Sequence, residues 1–561
     1  MKKTILRDKP HFPSIKALVE YASVQYAERT AYSFKDPLTK QTVKTSFAKL
    51  GEDIRDLAGM LIEKKYKYKP VAIIGRLSYY WAVSYFAALS VNVVLVPLDR
   101  EWNQEELCHT VGTAGCAAVI CDSDIKQKGE FISSKLSVPL ITTDGSEPMS
   151  IPSLIAEGGL KFSAMSEAYY DHEPDVDRMS LLVFTSGTTG KGKGVMLSQK
   201  GILRDLECVV PYIDFGEKTL GVLPPHHTYG SSVTFVGHMM VGAEVYISSG
   251  LRYITRELIE QKPEHIVLVP LYLETFYRRI RSKIKDGNKE ELFEKMLKFS
   301  KASKKLGINL RKTLFNSVRV AFGGKIKTIV CGGAPINEEM LEFFEAIGIR
   351  VLNGYGITEC SPIVSVNRSR DPRKNSVGHV LEVNDVRISD PNADGEGEIL
   401  VKGDNVMLGY LNDEEATLQA FDRDGYFKTG DYGRLDSDGV LYITGRKKNL
   451  IILPNGKNVY PEEIETALCA IPGILEVVVY EGISKRGVAH NAITAEIFPD
   501  RDYCTTNGIE DFQSYLRPFI NEYNKTAPSY KKITVIKIRK EEFYKNTLRK
   551  IIRFKIDTSI D

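Results

Sequence analysis

Long apolar runs are missing from this 561-residue chain: no segment approaches the ~20 consecutive apolar residues a membrane-spanning helix requires. Cysteine is sparse, eight residues without a C-x-x-C pair. No disulfide framework or paired-thiol metal site is therefore written here, and Cys116 and Cys121, in an apolar segment, read as reduced core residues. Nor is there an excess of one charge. Seventy-five Lys and Arg against 72 Asp and Glu leave a net +3, which argues against a whole-molecule surface for nucleic acid. Met1-Lys2-Lys3 is basic, but Pro10 and Pro13 follow without an apolar stretch, so no signal peptide is expected and a cytoplasmic location is. What remains, 43% hydrophobic and 26% charged, is an ordinary globular composition in a length exceeding one core.

One stretch stands out against this ordinary background. Thr185-Ser186-Gly187-Thr188-Thr189-Gly190-Lys191-Gly192-Lys193-Gly194 follows the apolar run Leu181-Leu182-Val183-Phe184. A strand emptying into glycines, hydroxyls and lysines can present bare N–H groups and cations to a polyphosphate. The spacing from Gly187 to Gly192-Lys193 mimics a Walker loop, yet Gly194 stands where that loop needs a Ser or Thr for Mg²⁺. Val195-Met196-Leu197-Ser198 then reads as a strand rather than a helix, and a strand-loop-strand hairpin is expected.

Elsewhere the pattern alternates. Val71-Ala72-Ile73-Ile74, a helical Tyr79-to-Leu89 stretch, Val93-Val94-Leu95-Val96-Pro97 and Ala117-Ala118-Val119-Ile120 form a βαβ series, which implies a mostly parallel, helix-covered sheet. From about Gly378 short strands broken by Asp and Gly turns take over, a small-barrel or meander composition. The region from about Lys447 has its own helices and strands.

Further motifs follow in order: Leu223-Pro224-Pro225-His226-His227-Thr228-Tyr229-Gly230, Gly332-Gly333-Ala334-Pro335, Tyr355-Gly356-Ile357-Thr358-Glu359, Thr429-Gly430-Asp431, Gly445-Arg446-Lys447-Lys448, and Asn455 through Glu463. Together with the glycine-rich loop they resemble the adenylate-forming ligase superfamily, from about residue 30 to the end. A basic helical stretch between Phe276 and Phe315, followed by Phe322-Gly323-Gly324-Lys325-Ile326-Lys327, is similar to its long-chain fatty acyl-CoA synthetase branch. The resemblance implies an α/β architecture: a large N-terminal AMP-binding domain over 1–446, with a barrel-like subdomain at about 378–446, and a smaller mobile α+β lid over 447–561. The implied cofactors are ATP and Mg²⁺, with CoA as co-substrate.

The chemistry asks for particular groups. A carboxylate becomes a usable acyl donor when it attacks the α-phosphorus of ATP, and the charge that gathers there must meet fixed cations and N–H donors. Thr185, Ser186, Gly187, Thr188, Thr189 and Lys193 are candidates for the β- and γ-phosphates. By resemblance, Thr358 touches the α-phosphate and Glu359 holds Mg²⁺; Gly333, Ala334, Pro335, Tyr355 and Gly356 receive adenine; Asp431, assisted by Arg446, binds the ribose hydroxyls. Lys550 resembles the C-terminal lysine that bridges carboxylate and α-phosphate, with Lys545 as its rival.

Thioester formation needs a second geometry, for which the resemblance offers Lys448 as hinge and His227 as a side chain that shifts to clear the thiol's path. Tyr229 and Gly230, with Val233 and Phe235 beyond them, and Asn353 and Gly354 could line an acyl pocket or be ordinary core. Two departures from the family pattern stand out. Gly192 replaces the usual proline before the lysine, implying a more mobile loop, and Arg549 replaces the usual glycine before Lys550. A fatty acid is the expected substrate, and CoA or an acyl carrier protein the acceptor; the two departures leave open a non-catalytic nucleotide- or acyl-binding relative. The basic helices near 278–312 are either a solvated face or a peripheral contact with anionic lipid.

Overall fold

The computed structural model describes residues 5–36, 39–145, 147–161, 167–185, 192–305, 308, 310–334, 336–453, 458–483, 492–545 and 550–560. Two large sheets carry most of it. In the seven-stranded sheet the order runs Gly409–Tyr410, Lys193–Ser198, Met179–Thr185, Val94–Leu98, Pro70–Ile74, Ala118–Cys121, Leu140–Thr142. The last five run parallel to one another, and the first two are antiparallel to their neighbours. The expected hairpin is therefore present: Met179–Thr185 turns back into Lys193–Ser198.

Burial on both faces explains why these strands are continuously apolar. Val94–Leu98 and Ala118–Cys121 are buried throughout, and Cys116 just ahead of the second is buried with Cys121. The helix Tyr79–Ser90, begun by a Ser78 hydroxyl that accepts from the Trp81 N–H, is apolar nearly all round, and Trp81, Tyr85 and Phe86 are fully enclosed, as a helix packed on every side requires.

The second sheet has thirteen strands. Its parallel block, Thr30–Lys35, Glu244–Ile247, Lys218–Gly221, His265–Leu268, Thr328–Gly332 and Arg350–Gly356, continues through the antiparallel strands Ile363–Val366, Gly378–Val380, Val440–Arg446, Phe427–Leu435 and Gly397–Gly403 to Asn384–Ser389. The short, turn-rich strands expected after Gly378 are thus joined edge to edge to the parallel block.

A smaller C-terminal unit follows, with Ile474–Gly482, Ala492–Pro499 and Val535–Ile538 in one sheet and the helices Pro461–Cys469 and Phe512–Thr526 beside it. Its core includes Ile464, Leu468, Val479, Ile497 and Leu516. Among the described residues no helix is long and apolar enough to cross a membrane, and the eight cysteines are all free thiols.

The basic stretch forms two helices, Pro270–Asp286 and Glu290–Lys305. Leu273, Phe276, Ile280 and Ile284 face inward, a helical repeat that anchors the first. Its cations do not all meet solvent. Arg278 Nη1 pairs with Asp500 Oδ2 at 3.1 Å and Lys285 Nζ donates to Asn507 Oδ1 at 2.7 Å, so this helix holds the C-terminal unit. On the second helix Leu292 and Phe299 are exposed, and Lys301 pairs with Glu342 at 2.7 Å.

Candidate active site

Parallel strands direct their carboxyl ends toward one crevice, and the motif residues lie there. Lys218–Gly221 leads into the His226-His227 turn, His265–Leu268 into Pro270, Thr328–Gly332 into Gly333 and Ala334, and Arg350–Gly356 ends on Tyr355 and Gly356. Close approach dictates glycine at several of these points. A Cβ on Gly230 would stand 2.1 Å from the Pro224 carbonyl oxygen, and one on Gly356 2.0 Å from that of Pro362.

Asp431 is the best-anchored member. It lies opposite Arg446 in the antiparallel pair Phe427–Leu435 and Val440–Arg446. Arg446 Nε is 3.0 Å from its Oδ1, and the Tyr355 hydroxyl donates to its Oδ2 at 2.7 Å. The carboxylate is buried, so one charged and one neutral donor offset its desolvation. A cleft of about 310 Å³ opens beside it, lined by Thr429, Gly430, Asp431, Arg446, Lys447 and Lys448. A larger depression of about 570 Å³, lined by Cys108, His109 and Phe131 among others, contains none of the sequence-predicted site residues.

Lys550 reaches this crevice from the end of the chain. Its Nζ is 3.7 Å from where a Cβ on Gly333 would stand. The residue as a whole is exposed, yet desolvation where it enters the crevice, with Arg446 nearby, pushes its pKa down to about 8 against the opposing pull of Asp431. Lys545 is engaged elsewhere, bonded to Glu476 and, at 2.7 Å, to Glu542.

The His226 and His227 rings lie tilted at 43° with centroids 4.3 Å apart, and His226 Nε2 is 3.6 Å from the buried Asp99 Oδ2. Burial, then His226 and Lys550, hold His227 well below the usual imidazole range, leaving a neutral ring at physiological pH.

Thr358 and Glu359 occupy the single turn Thr358–Cys360. Glu359 Oε1 accepts from the Tyr410 hydroxyl at 3.1 Å, and the Lys193 ammonium stands 4.5 Å from the centre of the Tyr410 ring. Desolvation raises the Glu359 pKa, with the Tyr410 bond opposing. Among the described residues no cluster of three His, Cys, Asp or Glu could hold a metal. One carboxylate fits an ion that takes its other oxygens from phosphate and water, as Mg²⁺ does.

Thr185 and Lys193 face each other across the hairpin. Ser186, Gly187, Thr188, Thr189 and Pro335 lie outside the described residues. Gly192 is described, and a Cβ there would stand 2.6 Å from the Thr185 carbonyl oxygen, so this backbone path excludes any larger residue. Lys448 sits in the turn Lys447–Asn449, which joins the two units.

Of the pocket candidates, Tyr229 opens the buried π-helical segment Tyr229–Gly237, and its hydroxyl approaches the Leu268 and Val330 carbonyl oxygens at 3.4 Å. Asn353 lies opposite Cys331 and Gly354 opposite Gly332 in the sheet. Phe235 packs against Trp81 and Tyr85 with ring centroids 5.3 and 5.5 Å away, and Val233 joins the same core.

Sequence reasoning missed Tyr410, Asp99 and Asp205. Asp205 is fully enclosed on the helix Gln199–Val209. It accepts from the Ile363 N–H at 3.1 Å and from Asn405 Nδ2 at 3.3 Å, bracing the segment after Glu359. Nothing local marks any of the three, since their partners are remote in sequence.

The chain matches the family described as AMP-binding enzyme over residues 19–411. It is 30% identical over 435 residues to long-chain-fatty-acid–CoA ligase FadD15 of Mycobacterium bovis, covering 73% of this chain and 70% of that protein. Long-chain-fatty-acid–CoA ligase 5 of Rattus norvegicus is 28% identical over 472 residues, covering 78% and 68%. In fold, ATP-bound MatB from Rhodopseudomonas palustris has a TM-score of 0.74 at 23% identity over 96% of this chain and 97% of that one. MenE from Bacillus subtilis in complex with ATP and magnesium ion has a TM-score of 0.68 at 22% identity over 96% and 98%.

Proposed function

This chain belongs to the AMP-binding enzyme family, and from that premise we propose that it joins a fatty acid to CoA through an acyl-adenylate, with ATP as the activating substrate. The observation that carries the reading is the meeting of Lys550 with Gly333, close to the Asp431–Arg446 pair. A nucleotide needs a base slot, a ribose acceptor and a cation at the α-phosphate. The crevice offers Gly333, Ala334, Tyr355 and Gly356 for the first, Asp431 with Arg446 for the second, and Lys550 for the third.

In the first half-reaction a carboxylate oxygen attacks the α-phosphorus and the bond to pyrophosphate breaks. Lys550, a point charge on a long stem, steadies both the attacking oxygen and the α-phosphate. Thr358 donates to the same phosphate, while Thr185, Lys193 and the loop hydroxyls hold the departing end. Glu359 would hold Mg²⁺, which supplies positive charge between the phosphates.

In the second half-reaction a thiolate attacks the acyl carbonyl and AMP leaves. Lys550 then stands in the way, so the C-terminal unit turns about Lys448 and neutral His227 moves aside. The fatty acid and CoA assignments draw support from the names of the relatives and from the basic, partly apolar helices. Exposed Leu292 and Phe299 beside Lys295 and Lys298 support a peripheral contact of a cytoplasmic enzyme with anionic lipid.

Incubation with ATP and a panel of carboxylic acids, followed by mass spectrometry, tests the reading. AMP, pyrophosphate and an acyl-adenylate are expected with long-chain acids; ADP as the spent nucleotide would overturn it. Adding CoA or holo acyl carrier protein separately identifies the acceptor, with acyl-CoA expected, and co-sedimentation with anionic vesicles tests the lipid contact.

A further inference from the structure

Tyr410 touches both ends of the phosphate region. It belongs to the two-residue strand Gly409–Tyr410, which pairs with Lys193–Ser198 so that Tyr410 lies opposite Val195. The Leu411 N–H donates to the Gly194 carbonyl at 2.8 Å and the Leu408 N–H to that of Met196 at 2.9 Å. On the other side the Met407 N–H donates to the Glu359 carbonyl at 2.8 Å. Residues 407–411 therefore lace the lysine-bearing strand to the acidic turn.

The backbone of Tyr410 is itself held. Its N–H donates to Thr417 Oγ1 at 2.9 Å, and Gly409 has φ +143°, where a Cβ would stand 2.9 Å from Thr417 Cγ2. From this fixed position the hydroxyl donates to Glu359 Oε1 at 3.1 Å while the ring faces the Lys193 ammonium at 4.5 Å. A carboxylate that accepts a hydrogen bond from a hydroxyl is oriented by it, and a cation over an aromatic face is held without a hydrogen bond. One side chain thus gives each charge a partner of its own. Opposite charges sharing a cleft otherwise attract each other, which would withdraw both from a ligand.

We propose that Tyr410 is a positioning residue that sets the Lys193 ammonium and the Glu359 carboxylate at a defined separation, ready for a magnesium-bound triphosphate. The inference rests on the reading of Glu359 as the carboxylate that holds magnesium. Tyr410 itself touches no reacting atom; it acts through Lys193 and Glu359.

Calorimetric titration of the full chain with α,β-methylene-ATP, across a Mg²⁺ series and without metal, tests the proposal on Y410F, Y410L and E359Q. Y410F keeps the ring, so it should raise the Mg²⁺ midpoint about 10-fold with metal-free binding of the analogue unchanged. Y410L should also weaken metal-free binding about 3-fold, because Lys193 loses its platform. Thermal melting checks that each variant folds, and Y410F alone carries the test if Y410L does not. An unshifted Mg²⁺ midpoint in Y410F, alongside a shifted one in E359Q, overturns the role of Tyr410. An unshifted midpoint in E359Q overturns the metal assignment itself, whatever Y410F does.

Discussion

The Lys550 ammonium lies 3.7 Å from the Cβ position of Gly333, so the far end of the chain closes over the turn proposed to receive adenine. With its pKa pushed down to about 8, Lys550 loses its proton as pH rises through that value. In the proposed first half-reaction the ammonium is required, so its rate should fall on the alkaline side of about pH 8. The sign for stability is the reverse. Between the depressed folded value and the ordinary 10.5, the unfolded chain binds more protons, and this group's contribution to stability rises with pH. Lys550→Arg keeps its charge there and should lower the rate at neutral pH while removing the alkaline fall, as read by pyrophosphate exchange from pH 6 to 10.

Lys448 stands where the two units join, in the turn Lys447–Asn449. Proline fixes φ and removes an N–H, so Lys448→Pro should restrict rotation there. Thioester formation is expected to slow by at least about 10-fold, with pyrophosphate exchange changed less than about 3-fold. Equal losses in rapid-quench measurements of the two half-reactions would refute the hinge assignment.

Arg278 and Asp500 form a partly exposed ion pair across the same junction. Such pairs contribute about 0.2–1 kcal/mol, enough to bias two arrangements without fixing either. Arg278→Gln should therefore reduce adenylation about 1.5- to 5-fold while leaving transfer from preformed acyl-adenylate to CoA unchanged or faster. Single-turnover assays started from each side would resolve the two.

Asp205 is pushed well above the usual carboxylate range by burial, against the donors Ile363 N–H and Asn405. Burial thus favours the neutral acid over the carboxylate. Asp205→Asn, which keeps an acceptor oxygen and carries no charge, should lower unfolding free energy by about 1 kcal/mol, and Asp205→Ala, which strands both donors, by about 3 kcal/mol. Urea denaturation would check this; a loss in the Asn variant as large as in Ala would mean the buried group is charged.

Much of the architecture was readable along the chain. Apolar runs such as Leu181-Leu182-Val183-Phe184 become buried strands because a sheet covered on both faces exposes neither side of a strand to water. Val195-Met196-Leu197-Ser198 read as a returning strand, which pairs back onto Met179–Thr185, and the basic stretch after Phe276 read as helical, as it is.

The partners were another matter. Lys545 and Lys550 are both basic residues near the end of the chain, yet one is tied to Glu476 and the other reaches Gly333. Tyr410 gives no sign in its own neighbourhood that it meets Lys193 and Glu359, and Arg278 reads as surface charge until Asp500 is beside it. Periodicity and turn preference act over a few residues, so the elements and the stock of chemical groups are legible along the chain. Which charges meet is a matter of folding, because those distances depend on strand order and on how the C-terminal unit packs, neither of which any local segment encodes.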